Sequence, residues 1–444
     1  MTDTLDVHLY GRRVATISRR GNNLQLRYLP DYVESEQPVP ISVQLPVVPG
    51  VAPGETTKRF LENLLPDRPD VRTRWAREAK LSSDSAFDLL SVYGADVAGA
   101  LEFYPAETAP RIAASLTPVS DDSIAARIRQ IRADDSDWLE HNPVEKGFSL
   151  GGAQGKFALA RRDGRWFEPT GQHPSTHIFK PGVRTLTGSD VTEHITLQVA
   201  RRLGLIVADT EIGLFDGEHV LVVERFDRLV VDNQYVRLHQ EDLAQATGTS
   251  YLNKYERDAG PSYHDIFTVF DRDLAPAQAR AAKQRFAECL VFSWIIGHND
   301  GHSKNYSITH APTGSFLSPF YDLNSALPFE LPDLVRAKDY RAYDGVKLAF
   351  AVDGAATIGE FGLQSLRTLQ RDAKLPDGYL DDFALLIATN VQSAITETTE
   401  GLPEPLRAIP AVQLYPYATY AQTLRVRDLL VEGRNRTGSS SLRG

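Results

Sequence analysis

The sequence predicts an α+β fold in two lobes, the first rich in strands and the second helical. Three observations carry that expectation. Short runs alternating apolar and polar residues fill the first hundred positions ("LDVHLY", "RRVATISRR", "LQLRYL"), strand patterns return between 147 and 238, and long helical patterns dominate beyond 239. With 444 residues, 42% of them hydrophobic and 24% charged, the chain has material for two or three packed units.

In chain order, the opening strands give way to helices at "RFLENLLPD" and "SAFDLLSVYG". The Pro-containing stretch "FYPAETAPRIAASLTPVSDDS" then places a boundary near residue 105, and its last residues start a helix over "IAARIRQIRADDSDWLEH". "GKFALARRDGRWFEP" reads as a hairpin turning at Asp163-Gly164, "STHIFKP" as a short strand, and "HVLVVERFDRLV" as one β-branched strand. Between them "DVTEHITLQVARRLGL" spaces Ile195, Val199 and Leu203 as a helix does, with Gly204 near its end. Helices follow over 275–297 and 379–399, with strand around "YSITH" and "FLSPFYDL". The expected parts are 1–105, 106–238 with a glycine-rich loop, 239–433, and a flexible tail over 434–444 ("RNRTGSSSLRG").

Composition removes several function classes. No run approaches the ~18 apolar residues that span a bilayer, and the start lacks a secretory h-region, so a cytoplasmic protein without a membrane partner is expected. The single cysteine, Cys289, lies in the apolar "RFAECLVFSWIIG", which excludes an internal disulfide and cysteine-based metal sites. A net charge of -10 argues against broad adhesion to nucleic acid.

The chemistry concentrates in "IIGHNDGHSKNYSI", residues 295 to 308. Asp300 and Asn305 have the spacing of the catalytic loop of protein kinases, H-R-D-x-x-x-x-N, where the aspartate takes the proton of the attacking hydroxyl and the asparagine binds magnesium. Lys304 is placed to stabilise charge on a moving phosphoryl group. Asp322, in "SPFYDLNSA", follows across two strands and supplies a second hard oxygen ligand suited to magnesium on ATP. Upstream, Lys180 ends a strand and Glu193 lies in the first turn of the next helix, the order of the kinase lysine that reaches the α and β phosphates and its supporting glutamate. "HQEDLAQATG" offers backbone groups from Glu241 to Leu243 to an adenine edge. "FSLGGAQGKF" fails as a Walker A loop, because the spacing is wrong and Phe157 stands where a hydroxyl is needed. Even so, Gly151, Gly152, Ala153 and Gln154 can bring N–H groups to phosphates.

The ordered set "RFLENLLPD", "YGADVAGALEFYP", "FSLGGAQGKF", "THIFKP", "ERFDR", "HQEDLAQATG", "GHNDGHSKN" and "YDLNSA" resembles the HipA family of bacterial serine/threonine kinase toxins over nearly the whole chain. The resemblance implies a two-lobed protein-kinase-like fold, ATP and Mg2+ as cofactors, Asp300 as catalytic base, Asn305 and Asp322 as metal ligands, and Lys180 on the phosphates. It also implies His302 beside the nucleotide phosphates, Glu241 and Leu243 at the adenine, and Ser149 as an autophosphorylation site that shuts off activity. Partners implied are a HipB-like helix-turn-helix antitoxin that carries most of the contact with operator DNA, and a protein substrate of the aminoacyl-tRNA synthetase class. The chain departs from the family pattern at Gly155, Phe157 and Ala259, the last standing where a glycine is usual.

Two rival readings remain. A metal hydrolase would use His298 and His302 with Asp300, but Gly301 opposes the helix that their spacing requires. A catalytically weak co-repressor acting with a DNA-binding antitoxin would keep the fold and lose the turnover.

Overall fold

The structure, a computed structural model, describes residues 3–21, 23–106, 108, 115–137, 151–170, 173–231, 234–311, 313–331 and 338–440. It is a mixed α/β chain with a strand-rich N-terminal part and a helical C-terminal part, as the hydrophobic periodicity predicts. Its two compact units draw on discontinuous stretches: 1–184, 211–254 and 306–318 form one, and 185–210, 255–305 and 319–444 the other.

The first unit begins with an antiparallel sheet in the order Asn23–Tyr28, Arg12–Arg20, Thr4–Leu9, Leu101–Pro105. Leu5, Val7, Val14 and Ile17 are fully buried there with Phe60 and Leu61 of the helix Gly54–Asn63 and Leu89, Leu90 and Tyr93 of the helix Ala86–Tyr93. A second sheet has six strands, in the order Ser115–Pro118, Arg165–Thr170, Phe157–Arg162, His177–Lys180, Glu218–Glu224, Thr210–Phe215. Phe157 stacks on Phe179 with ring centroids 4.7 Å apart, and Ile124, Ile128 and Ile131 of the helix Asp121–Ala133 join the same core. This accounts for Phe157: an aromatic that closes a core is of more use there than a hydroxyl. Asp163 and Gly164 both take positive φ, 49° and 75°, as a two-residue hairpin turn requires. A third, three-stranded sheet pairs His239–Asp242 with Ser307–Ala311, and that strand with Gly314–Leu317.

The stretch read as one strand from 219 to 230 is broken. Strands Glu218–Glu224 and Arg228–Val231 are separated by Arg225, Phe226 and Asp227, because the charged members of this break turn into the interior. Asp96 receives the Ser175 N–H at 3.0 Å, the Ser175 hydroxyl at 2.5 Å and the Arg228 guanidinium at 2.8 Å. Asp227 receives the Gly99 N–H at 2.7 Å, the Gln240 amide at 3.1 Å and Arg225 at 2.9 Å. Burial alone would raise both carboxyls, but Arg225 and Arg228 outweigh it and hold them below the ordinary aspartate value. Gly99 has φ +80°, and a Cβ on it would lie 2.7 Å from the Gln240 nitrogen, so no other residue fits.

The second unit is built on the helices Ser189–Arg202, Tyr263–Asp273, Pro276–Ile296, Leu363–Asp372, Tyr379–Glu400 and Pro410–Ser440. The last of these runs through 434–440 of the stretch expected to be a flexible tail, and 441–444 lie outside the described residues. Phe286, Cys289, Val291, Phe292, Trp294, Ile295 and Ile296 are buried around the second half of Pro276–Ile296, which makes it the central helix of this unit. Among the described residues no helix is long and apolar enough to cross a membrane.

Candidate active site

The central helix ends at Gly297, whose φ of +71° closes the last turn, with the His298 N–H donating to the Ser293 carbonyl at 2.8 Å. A Cβ on Gly297 would lie 2.4 Å from Leu327, so the chain can leave the helix here only through glycine. The loop that follows is folded on itself. The His302 N–H donates to the Asp300 carbonyl at 2.8 Å, and the Asn305 side-chain amide donates to the same oxygen at 2.8 Å. Residues Ser303–Asn305 form a single 3-10 turn. The Asp300 side chain is thereby left exposed, while His302, Lys304 and Asn305 are buried.

This loop is tied to the segment carrying Asp322. The Ser325 hydroxyl donates to the Ile296 carbonyl at 2.5 Å, the Ala326 N–H to Gly297 at 2.9 Å, and His298 Nδ1 to the Asn324 carbonyl at 2.9 Å. Burial lowers the His298 imidazole below its ordinary value, so it is neutral at pH 7 and its one N–H serves this bond. Tyr321 adds a hydroxyl bond to the Lys304 carbonyl at 3.1 Å. The Asn324 side-chain amide then reaches the Ser189 carbonyl at 2.9 Å, at the start of the helix that carries Glu193. Asp300, Lys304, Asn305, Asp322 and the Glu193 helix thus belong to one hydrogen-bonded assembly within the second unit. Asn324 is the residue that the sequence reading missed. Its trace in the sequence is a polar side chain two positions after Asp322.

His298 Nδ1 is bonded to Asn324, and the described residues contain no group of three His, Cys, Asp or Glu able to hold a metal by themselves. That donor set suits magnesium carried by a nucleotide, which takes one or two protein oxygens and draws its other ligands from phosphate and water. The Asn305 amide nitrogen is spent on Asp300, so its carbonyl oxygen is the atom it has to offer an ion. Asp322 has φ +56°, a left-handed conformation that aspartate tolerates better than most residues.

The remaining expected residues lie in the first unit, except Glu193, which is buried in its helix at 4% exposure. Lys180 ends its strand at 6% exposure. In the glycine-rich segment, Gly152 has φ +104°, and Lys156 donates to the Gly151 carbonyl at 2.9 Å. Pro66 forms a parallel bridge to Gly152, and the Asp67 N–H donates to the Gly152 carbonyl at 2.9 Å, so the "LLPD" turn holds Gly152 while Ala153 stands exposed. Ser149 lies outside the described residues.

Glu241 and Leu243, the residues expected at an adenine, are both bonded within the first unit. The Glu241 carboxylate accepts from the Ser42 hydroxyl at 2.5 Å, the Val43 N–H at 2.9 Å and His310 Nε2 at 2.8 Å. The Leu243 N–H donates to the Tyr306 carbonyl at 2.9 Å. Glu241 clasps the Ser42–Val43 segment to the third sheet.

Residues 148–397 match the family model of the HipA-like C-terminal domain, and residues 5–104 that of the HipA N-terminal domain. The chain belongs to the HipA family. Its relatives include the putative kinase Y4mE of Sinorhizobium fredii, 30% identical over 381 residues that cover 83% of this chain and 85% of the relative. The serine/threonine-protein kinase toxin HipA of Shewanella oneidensis is 28% identical over 418 residues, 90% of either chain. A solved structure of HipA from Shewanella oneidensis, in a complex with HipB and operator DNA, superposes with a TM-score of 0.80 at 26% identity, covering 97% of this chain and 99% of that one. The HipA fold, with its strand-rich start and helical C-terminal part, is therefore the fold of this chain.

Proposed function

We propose that this HipA-family chain is an ATP-dependent serine/threonine protein kinase that acts as the toxin of a toxin-antitoxin pair in the cytoplasm. The observation that carries the reading is the Asp300 loop, closed on its own carbonyl by Asn305 and His302 so that an exposed carboxylate stands beside two hydrogen-bonded candidates for nucleotide chemistry. Asp300 takes the proton of a serine or threonine hydroxyl as its oxygen attacks the γ-phosphorus, the bond from that phosphorus to the β–γ bridging oxygen breaks, and ADP leaves. Asn305 and Asp322 would hold magnesium, which would shield the negative charge of the phosphates. Lys180 meets the phosphates with Glu193 as its supporting carboxylate, and His302 and Lys304 add positive or donor character near the transferred group. Gly151, Gly152, Ala153 and Gln154 offer backbone donors to phosphate oxygens.

Ser149 is the proposed site of autophosphorylation. A phosphate there adds about -1.5 to -2 charges beside the glycine segment, which opposes the approach of another polyphosphate. The proposed partners are a HipB-like helix-turn-helix antitoxin, which makes most of the contact with operator DNA, and a protein substrate of the aminoacyl-tRNA synthetase class. The HipA–HipB–operator complex of the Shewanella relative supports the first.

Phosphate transfer from radiolabelled ATP to bacterial proteins tests the reading. Asp300→Ala is expected to retain nucleotide binding and lose turnover, and Asp322→Ala to lose magnesium-dependent nucleotide binding. Equal transfer by wild type and both variants would remove it. Intact-mass analysis with peptide mapping decides Ser149, and growth on expression with and without the antitoxin decides the toxin role. An arrest-free chain with no ATP turnover would favour the co-repressor reading.

A further inference from the structure

The loop "KYERDAGPSY" brings an aromatic hydroxyl to the centre of the proposed chemistry. The Tyr255 hydroxyl donates to Asp300 Oδ1. Its ring meets His302 edge-on, with centroids 4.9 Å apart, and the Arg257 guanidinium lies 3.9 Å from the ring centroid on the same loop. The loop is itself anchored: the N–H groups of Asp258 and Gly260 donate to the Tyr255 carbonyl at 3.0 and 2.9 Å, and the Glu256 carboxylate accepts the Ala351 N–H at 2.7 Å. Tyr255 is thus held from its backbone, by two neighbours at its ring and at its hydroxyl.

We infer that Tyr255 is the positioning residue for the catalytic base, fixing one oxygen of Asp300 so that the other faces the hydroxyl of the protein substrate. This rests on reading Asp300 as that base. A carboxylate on an exposed loop rotates freely about its side-chain torsions, and a phenol donor on one oxygen removes that freedom while leaving acceptor capacity for an incoming hydroxyl. Burial, followed by the neighbouring Asp300 charge, holds the Tyr255 phenol above its ordinary value, so it remains a donor throughout the pH range of function. Tyr255 acts through Asp300.

The test is steady-state transfer from ATP to an acceptor peptide selected from a serine/threonine peptide library, for wild type, Tyr255→Phe, Tyr255→Leu, Asp300→Asn and the double variant Tyr255→Phe/Asp300→Asn. Tyr255→Phe keeps the ring and loses only the O–H. It is expected to lower kcat by roughly 10- to 100-fold with KM for ATP and thermal stability unchanged. Tyr255→Leu should fall to a similar level, and in the Asp300→Asn background Tyr255→Phe should cost nothing further. Turnover by Tyr255→Phe equal to or above wild type overturns the inference. So does the same fractional loss in the Asp300→Asn background, or a loss confined to Tyr255→Leu, which would assign the role to the ring. Wild-type turnover by Asp300→Asn, or no transfer by the wild type to any acceptor, fails the kinase reading instead and is distinguishable from these outcomes.

Discussion

Two aspartates in this chain sit among hydrogen-bond donors and cations and have opposite fates. Asp227 is closed off: it is 2% exposed and receives Gly99, Gln240, Arg225 and Arg228. Asp300 is exposed, with its carbonyl bound by Asn305 and His302 and its carboxylate touched by one phenol. A motif rich in charge is therefore not a site by virtue of its charge. The difference lies in whether the carboxylate's acceptor capacity is spent inside the fold or kept for a substrate. "ERFDR" belongs to the first kind, and "HNDGHSKN" is proposed to belong to the second.

Neutralising each aspartate should separate the two most sharply. Asp300→Asn is expected to lower phosphate transfer by about 10²- to 10⁴-fold, the range of a lost general base, with urea unfolding unchanged. Asp227→Asn leaves two buried guanidinium groups short of a counter-charge and is expected to cost about 3–5 kcal/mol in urea unfolding, with turnover per folded molecule retained. Asp227→Asn with wild-type stability, or Asp300→Asn with a large loss of stability, would break the contrast.

A smaller effect sharpens the same comparison through pH. His239 is fully buried, with Nε2 donating to the Ile41 carbonyl at 2.9 Å, and it lies beside His310, which bonds Glu241. Burial, then the neighbouring His310, lowers His239 from 6.5 to about 4. Between those values the unfolded chain holds a proton that the folded chain refuses. Stability from this group is therefore constant above pH 6.5 and is lost as pH falls towards 4, by about 2 kcal/mol between pH 7 and pH 5. His239→Gln should remove that part of the slope in urea unfolding curves. Buried Asp96 and Asp227 shift in the same direction: their folded values also lie below the unfolded one, so their contribution persists above the unfolded aspartate value and is lost only in stronger acid. An unchanged slope in His239→Gln would show that burial beside His310 does not exclude the proton.

How much of this was legible in the sequence follows the range of the interactions. That Asp300 and Asn305 share one loop after an apolar helix over 275–297 was legible because spacing and helical periodicity are local properties, and the hairpin at Asp163-Gly164 for the same reason. The break at Arg225–Asp227 was not, because periodicity saw only the β-branched residues around it, and its partners Asp96 and Gly99 lie more than a hundred positions upstream. The role of the Glu241 side chain was hidden for a related reason: its partners Ser42, Val43 and His310 lie far from it in the chain. Tyr255 carries no sequence signal of its own, since a tyrosine in a polar loop is ordinary and its bond to Asp300 spans 45 positions.

The smallest expected effect concerns two residues of the second unit that both hold left-handed backbone without being glycine, Asp322 at φ 56° and Ala259 at φ 61°. Left-handed conformation costs an L-residue roughly 1–2 kcal/mol, whereas glycine adopts it freely but gives up about 0.5–1 kcal/mol more chain entropy on folding. Replacement by glycine should therefore stabilise either position by about 0.5–1 kcal/mol. At Asp322 the carboxylate is the proposed magnesium ligand, so Asp322→Gly is expected to gain stability and lose turnover, which is strain retained at a functional residue. The Ala259 methyl supplies no chemistry; the residue closes the loop that carries Tyr255, its N–H donating to the Glu256 carbonyl at 3.1 Å. Ala259→Gly should gain the same fraction of a kcal/mol in urea unfolding and keep kcat within about twofold, because the glycine relieves the turn without moving the bonds that hold the tyrosine. A fall in kcat with that gain in stability would show that strain at Ala259 sets the placement of Tyr255, whereas no gain at either position would mean that the left-handed turns are relaxed by contacts elsewhere in their loops.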